Sequence, residues 1–383
     1  MLAKDFVGEA RRLFGTDDFI PLHEPVFVGR EKEFLIDCID STFVSSVGKF
    51  VDRLEAMVCE FTGAKYSVAV SNGTTALHIA LLAAGVKSST EVIMPALTFV
   101  ATANAASYCG ADPVFLDVER ETLGLCPKAL RKFFEENCEV RGGKCINRQT
   151  GNVVSACVPV HIFGHPCGVE KVVSICDEFS VPVVEDAAES LGSIAGRKHT
   201  GTYGQLGTFS FNGNKIVTCG GGGVIVTDDS DLAEWAKHVT TTAKAPHPYK
   251  YFHTELGYNY RLPNLNAALA CAQLESIENF IYNKRELADS YRHFFDGRSA
   301  DFVEERSGSS SNYWLNAIIL PDEKERDDFL ETTNSAGVMT RPVWELMPQL
   351  PMYQHAQSYG LENSEWIQKR LVNIPSSVRP KEL

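Results

Sequence analysis

The chain has 383 residues, 44% hydrophobic and 22% charged, which excludes a disordered chain and allows one large and one small domain. Its formal net charge of −13 argues against nucleic acid or an anionic membrane surface as partners, and no stretch reaches the roughly 20 apolar residues of a bilayer span. Its 11 scattered cysteines form no C-x-x-C pair, and the N-terminus carries early acids instead of a long apolar run, so the expected setting is reducing and cytoplasmic, not secretory.

From residue 64 to 228, short apolar runs alternate with helical ones. The pattern predicts a strand over 66–70, a helix over 75–84, a strand over 91–94 and a helix over 101–108. A strand over 113–117 and a helix over 128–136 follow. The polar insertion 135–153, rich in glycine, reads as a hairpin or an exposed loop, in which Cys138 and Cys145 either bridge or stay as buried thiols. Strands are expected over 153–161 and 182–185, with a helix over 170–179 between them, and further strands over 207–211 and 223–227. Strands alternating with helices argue for an α/β fold with a mostly parallel sheet covered on both faces. A long helical pattern over 264–295 leads toward a smaller C-terminal α+β unit, with a strand over 313–320 and a helix over 323–336. The expected division is 1–275, an N-terminal segment with the large unit, and 276–383.

In open parallel sheets, ligands bind beyond the carboxyl ends of the strands, so the residues there carry the chemical reading. After 66–70 comes Ser71-Asn72-Gly73-Thr74-Thr75, a strand–glycine–helix turn that is either a phosphate cradle or a plain helix cap. Phe99 follows the next strand and is either a ring stacker or a core side chain. Asp186 ends a buried strand, where it pairs with a protonated ring nitrogen or caps the next segment. Lys215, five residues after Ser210 and before Gly220-Gly221-Gly222-Gly223, sits where partial desolvation favours a neutral, nucleophilic amine. The four glycines are not a P-loop, since no Lys-Ser/Thr follows them, nor a dinucleotide fingerprint. Cradle, stacker, buried acid and lysine, in that order, are the parts of a pyridoxal phosphate site.

The chain resembles the sugar aminotransferases of the DegT/DnrJ/EryC1/StrS type, fold type I pyridoxal phosphate enzymes. The resemblance runs over nearly the whole length. It is carried by 71–77 (SNGTTAL), 95–102 (PALTFVAT), 160–164 (VHIFG), 184–192 (VEDAAESLG), 209–215 (FSFNGNK), 257–264 (GYNYRLPN) and 372–377 (VNIPSS). It implies pyridoxal 5'-phosphate carried as an imine on Lys215, which also shuttles protons, with Asp186 on the pyridinium nitrogen and Phe99 on the ring. Gly73, Thr74 and Ser210 would hold the phosphate. Asn259, on a loop lent by a second subunit, would complete that site and make a homodimer obligatory. Two positions depart from the family pattern. Glu189 stands where Gln or His usually neighbours the cofactor's O3′, and a carboxylate there faces a phenolate unless protonated or turned away. Gly221 stands where an acid is common.

Residues 19–25 (FIPLHEP), 43–49 (FVSSVGK), 212–215 (NGNK), 341–344 (RPVW) and the 135–153 insertion are similar to the subgroup that aminates C4 of UDP-linked 4-keto-6-deoxy-N-acetylhexosamines, feeding legionaminic acid and bacillosamine. The resemblance therefore implies ping-pong transfer from glutamate to a UDP-linked keto sugar for bacterial surface polysaccharide. Arg341 and Trp344 are candidate substrate contacts or, equally, packing residues. The alternatives are amination of another keto sugar nucleotide, at C3 or GDP-linked, and a non-catalytic relative that binds cofactor or sugar. No metal is expected.

Overall fold

The computed structural model describes residues 1–379. Its central sheet begins with the neighbouring strands Tyr66–Val70, Gly223–Thr227, Leu206–Ser210 and Val184–Asp186. Parallel bridges Cys157↔Val183 and Val160↔Asp186 carry it on to Val153–Cys157. Thr90–Pro95, Asp112–Leu116 and Ser358–Tyr359 complete the row. Pairing along this row is parallel except for Gly223–Thr227, antiparallel to both neighbours, while the antiparallel strands Cys138–Arg141 and Lys144–Asn147 join the sheet through Ile146↔Val153. The expected α/β architecture with a mostly parallel sheet is therefore the one observed.

Side-chain alternation shows why both faces are covered. Val68, Val70, Ile225, Val92 and Met94 enter one apolar cluster with the helices Gly73–Ala83 and Val100–Tyr108. Ala69, Val224 and Val226 enter a second cluster on the opposite face, and Ile93, Val154 and Cys157 a third, with Pro127–Asn137 and Val169–Glu178. Each strand has two apolar faces, so helices must pack on both sides.

Several expected elements end earlier than their apolar pattern. The 153–161 run stops as a strand at Cys157, because Pro159 has no N–H for the ladder, and resumes only as the bridge from Val160. The 264–295 pattern is two helices, Asn264–Leu274 and Ile277–Phe295. The first packs in the large core through Ala267, Ala270 and Cys271, while Leu287, Tyr291 and Phe295 of the second belong to the C-terminal core. Two stripes serving two cores require the break at Glu275–Ser276. The 313–320 run is a strand only over Asn316–Ile319, because Tyr313 has φ 47° and Asn312 Oδ1 accepts the Trp314 N–H in a tight turn. The 135–153 insertion is the hairpin Cys138–Arg141/Lys144–Asn147, turned by Gly142 and Gly143, both at positive φ. Cys138 and Cys145 within it are buried and free.

The C-terminal sheet takes the order Asp301–Phe302, Asn316–Ile319, Leu371–Ile374, Arg341–Pro342. The N-terminal helix Leu2–Phe14 packs here and not on the large sheet with which the sequence groups it. Phe6 lies 5.3 Å from Phe329 and 5.7 Å from both Tyr291 and Phe295. The apolar stripe of this helix finds its partner across the whole chain length. No helix among the described residues is long and apolar enough to cross a membrane.

Candidate active site

The candidate side chains come together because their strands end in register. Val70 and Ser210 both pair with Gly223, and Thr208 pairs with Asp186. The helix Gly73–Ala83 starts at this edge. Asn72 Oδ1 accepts the Thr75 N–H at 2.8 Å, and Thr75 Oγ1 accepts the Asn72 N–H at 3.2 Å, a reciprocal cap. This cap takes the Thr75 amide and leaves those of Gly73 and Thr74 without an intrahelical acceptor. Gly73 lies so close to Ser210 that a Cβ on it would sit 2.8 Å from the Ser210 Cβ. A Cβ on Gly223 would lie 2.6 Å from the Asn72 carbonyl carbon. Bare backbone here brings two amides, a hydroxyl and a helix N-terminus together, which suits a phosphate.

Asp186 is buried. Its Oδ2 accepts the Thr102 hydroxyl at 2.8 Å, and Thr102 in turn lies 2.9 Å from the Thr98 hydroxyl. Its Oδ1 accepts the Ala188 N–H at 3.2 Å. A buried carboxylate with one bond per oxygen retains room for a further donor, as a protonated ring nitrogen would be. The adjacent Glu185 is committed to structure. It accepts N–H bonds from Gly201, Tyr203 and Gly204 at 2.6–2.7 Å and pairs with His161 Nε2 at 3.0 Å.

Lys215 is largely buried, its side chain 12% exposed. Its Nζ lies 3.1 Å from Glu189 Oε1 and 3.7 Å over the Trp314 ring. Glu189 Oε2 accepts the Phe163 N–H at 2.8 Å. Burial pushes the Glu189 carboxyl above its ordinary range, opposed by the Lys215 charge and the Phe163 N–H. The Glu189 carboxyl thus faces Lys215 on one side and the Phe163 backbone on the other. Phe99 is 51% exposed and is not a core residue. Trp344 lies 6.0 Å from it and 5.3 Å from Phe163, which brings Trp344 to the site. Arg341 is exposed and turned to Asn334 Oδ1 and the Thr340 carbonyl. Asn259 is exposed, with Oδ1 held by Arg261 at 3.0 Å. Its backbone bridges Thr241, and its hydrogen bonds do not reach Gly73, Thr74 or Ser210.

Sequence reasoning missed Thr102, Asn312 and Trp314. Thr102 is readable in principle, one helical turn after Thr98 and at the same strand end as Phe99. Asn312 and Trp314 come from a distant turn and carry no local signal.

The profile of the DegT/DnrJ/EryC1/StrS aminotransferase family matches residues 27–382. GDP-perosamine synthase of Escherichia coli O157:H7 is 36% identical over 360 residues, covering 94% of this chain and 93% of its own. The Bacillus subtilis (strain 168) protein EpsN, assigned to the pyridoxal phosphate-dependent aminotransferases, is 34% identical over 364 residues, covering 93% and 90%. Among solved structures, DesI in the presence of its TDP-sugar product superposes with a TM-score of 0.82 at 26% identity, covering 95% of this chain and 90% of DesI. A family match of this extent places the chain in the DegT/DnrJ/EryC1/StrS family as a pyridoxal phosphate-dependent sugar aminotransferase.

Proposed function

We propose that the chain moves an amino group from glutamate to the keto carbon of a GDP-linked 4-keto-6-deoxy sugar. The convergence of Lys215, Asp186, Gly73 and Ser210 carries the transfer itself. The nucleotide rests on relatives named GDP-perosamine synthases, in Escherichia coli O157:H7 and also in Vibrio cholerae, the latter 36% identical over 360 residues. These favour GDP over the UDP-linked sugar of legionaminic acid and bacillosamine synthesis to which the sequence points.

Pyridoxal phosphate, when bound, supplies the aldehyde that takes the amino group and a ring that accepts the electron pair. In this reading the amides of Gly73 and Thr74 and the Ser210 hydroxyl hold its phosphate. Asp186, steadied by Thr102, keeps a proton at the ring nitrogen. Phe99 and Trp344 wall the ring and exclude water. Lys215 Nζ removes the donor's α-proton and returns a proton at the sugar carbon. Glu189 balances the Lys215 ammonium whenever that amine is free. Exposed Phe27, Ile36, Ile39 and Val47, with Tyr251 and Leu256 on the loop before Asn259, support a homodimer in which Asn259 serves the neighbouring site.

A panel of GDP-, UDP- and TDP-linked 4-keto-6-deoxy sugars with glutamate tests the reading. Rapid formation of an amino sugar from the GDP substrate, identified by mass and NMR, is expected. Preference for the UDP substrate would return the acceptor to the one the sequence suggests, and no turnover with any of them would sink the aminotransferase reading of this site.

A further inference from the structure

We propose that Trp314 is the positioning residue of the Lys215 amine, gripping it by two separate contacts. The indole N–H donates to the carbonyl of Asn214, the residue before Lys215, at 2.7 Å. The face of the same ring lies 3.7 Å beneath Lys215 Nζ. One contact pins the backbone from which the lysine springs. The other holds the cationic head without a directional bond, so the head can move across the ring as it exchanges protons.

The rest of the turn makes this arrangement rigid. Trp314 is 3% exposed, and its own N–H donates to Asn312 Oδ1 at 2.8 Å. Asn312 Nδ2 donates to the carbonyls of Glu189 and Leu191, each at 2.9 Å. The turn that carries the aromatic partner of Lys215 therefore also grips the backbone of its acidic partner, Glu189. Ring and carboxylate are set against each other across the amine by a single unit. Removing the ring therefore costs the amine its place between them.

The inference rests on Lys215 being the lysine that takes up the cofactor. Cofactor-free, full-length protein is mixed with pyridoxal phosphate, and the rate of uptake is followed by visible absorbance. Trp314→Leu is expected to slow that uptake about tenfold. It should reduce kcat about tenfold while KM for donor and acceptor stays within about twofold. Trp314→Phe retains a weaker ring face and no N–H, so it should slow uptake only about threefold, with a measurable fall in kcat. A folded Trp314→Leu enzyme with wild-type uptake rate and kcat would overturn the assignment. If Trp314→Leu does not fold, a Trp314→Phe enzyme indistinguishable from wild type in both readouts does the same. Borohydride trapping with peptide mapping separates the two levels. An unlabelled Lys215 removes the parent reading, whereas a labelled Lys215 with unchanged uptake rate and kcat removes only the role of Trp314.

Discussion

Lys284 is a fully buried lysine on the helix Ile277–Phe295, and its Nζ donates to the carbonyl of Ser376. Burial lowers its pKa to about 7. An unfolded chain binds that proton up to about pH 10.4, so between the two values the unfolded state holds a proton that the folded state lacks, and stability rises with pH. The gap of about 3.5 units is worth roughly 5 kcal/mol in full, of which roughly 3.5 kcal/mol is regained between pH 7 and 10 because both ends of the window are partly titrated. Lys284→Met keeps the volume and removes the titration, at the cost of about 1–3 kcal/mol for an unmatched Ser376 carbonyl. The variant should therefore be about 1–3 kcal/mol more stable than wild type at pH 7, and between equal and about 2 kcal/mol less stable at pH 10. Urea unfolding at both pH values, at matched protein and cofactor concentration, measures the reversal. A wild-type-minus-variant difference constant within about 1 kcal/mol would refute a neutral, buried amine at position 284.

Two further substitutions probe the site. Gly73→Ala places a Cβ 2.8 Å from that of Ser210, and such overpacking should weaken pyridoxal phosphate binding about 10- to 100-fold by absorbance titration, whereas unchanged affinity would remove Gly73 from the phosphate cradle. Thr102→Val deletes the hydroxyl that supports Asp186 and should lower kcat about 10- to 100-fold with folding intact, so wild-type kcat would mean that Asp186 needs no such support.

Much of the candidate site is legible because it depends on local backbone chemistry. The strand–turn–helix at Ser71–Thr75, the acid ending a buried run at Asp186 and the lysine five residues after Ser210 are each set by neighbours in sequence. Alternation along the strands likewise forecasts the layers, since a strand apolar on both faces must be covered twice. Boundaries were less legible where one residue overrides the pattern, as Pro159 does by lacking an N–H and Asn312 by capturing the Trp314 amide. Contacts between distant segments follow no local period. Packing alone sends the N-terminal helix to Phe329 and the C-terminal core. It alone commits Glu189 to Lys215 and the Phe163 amide, turns Arg341 toward Asn334, and slides Trp314 beneath an amine about a hundred residues away. Residue types and their spacing determined which chemistry the chain can support. The close packing of segments far apart in the chain decided how its reactive amine is held, because a side chain's charge and position depend on every group around it.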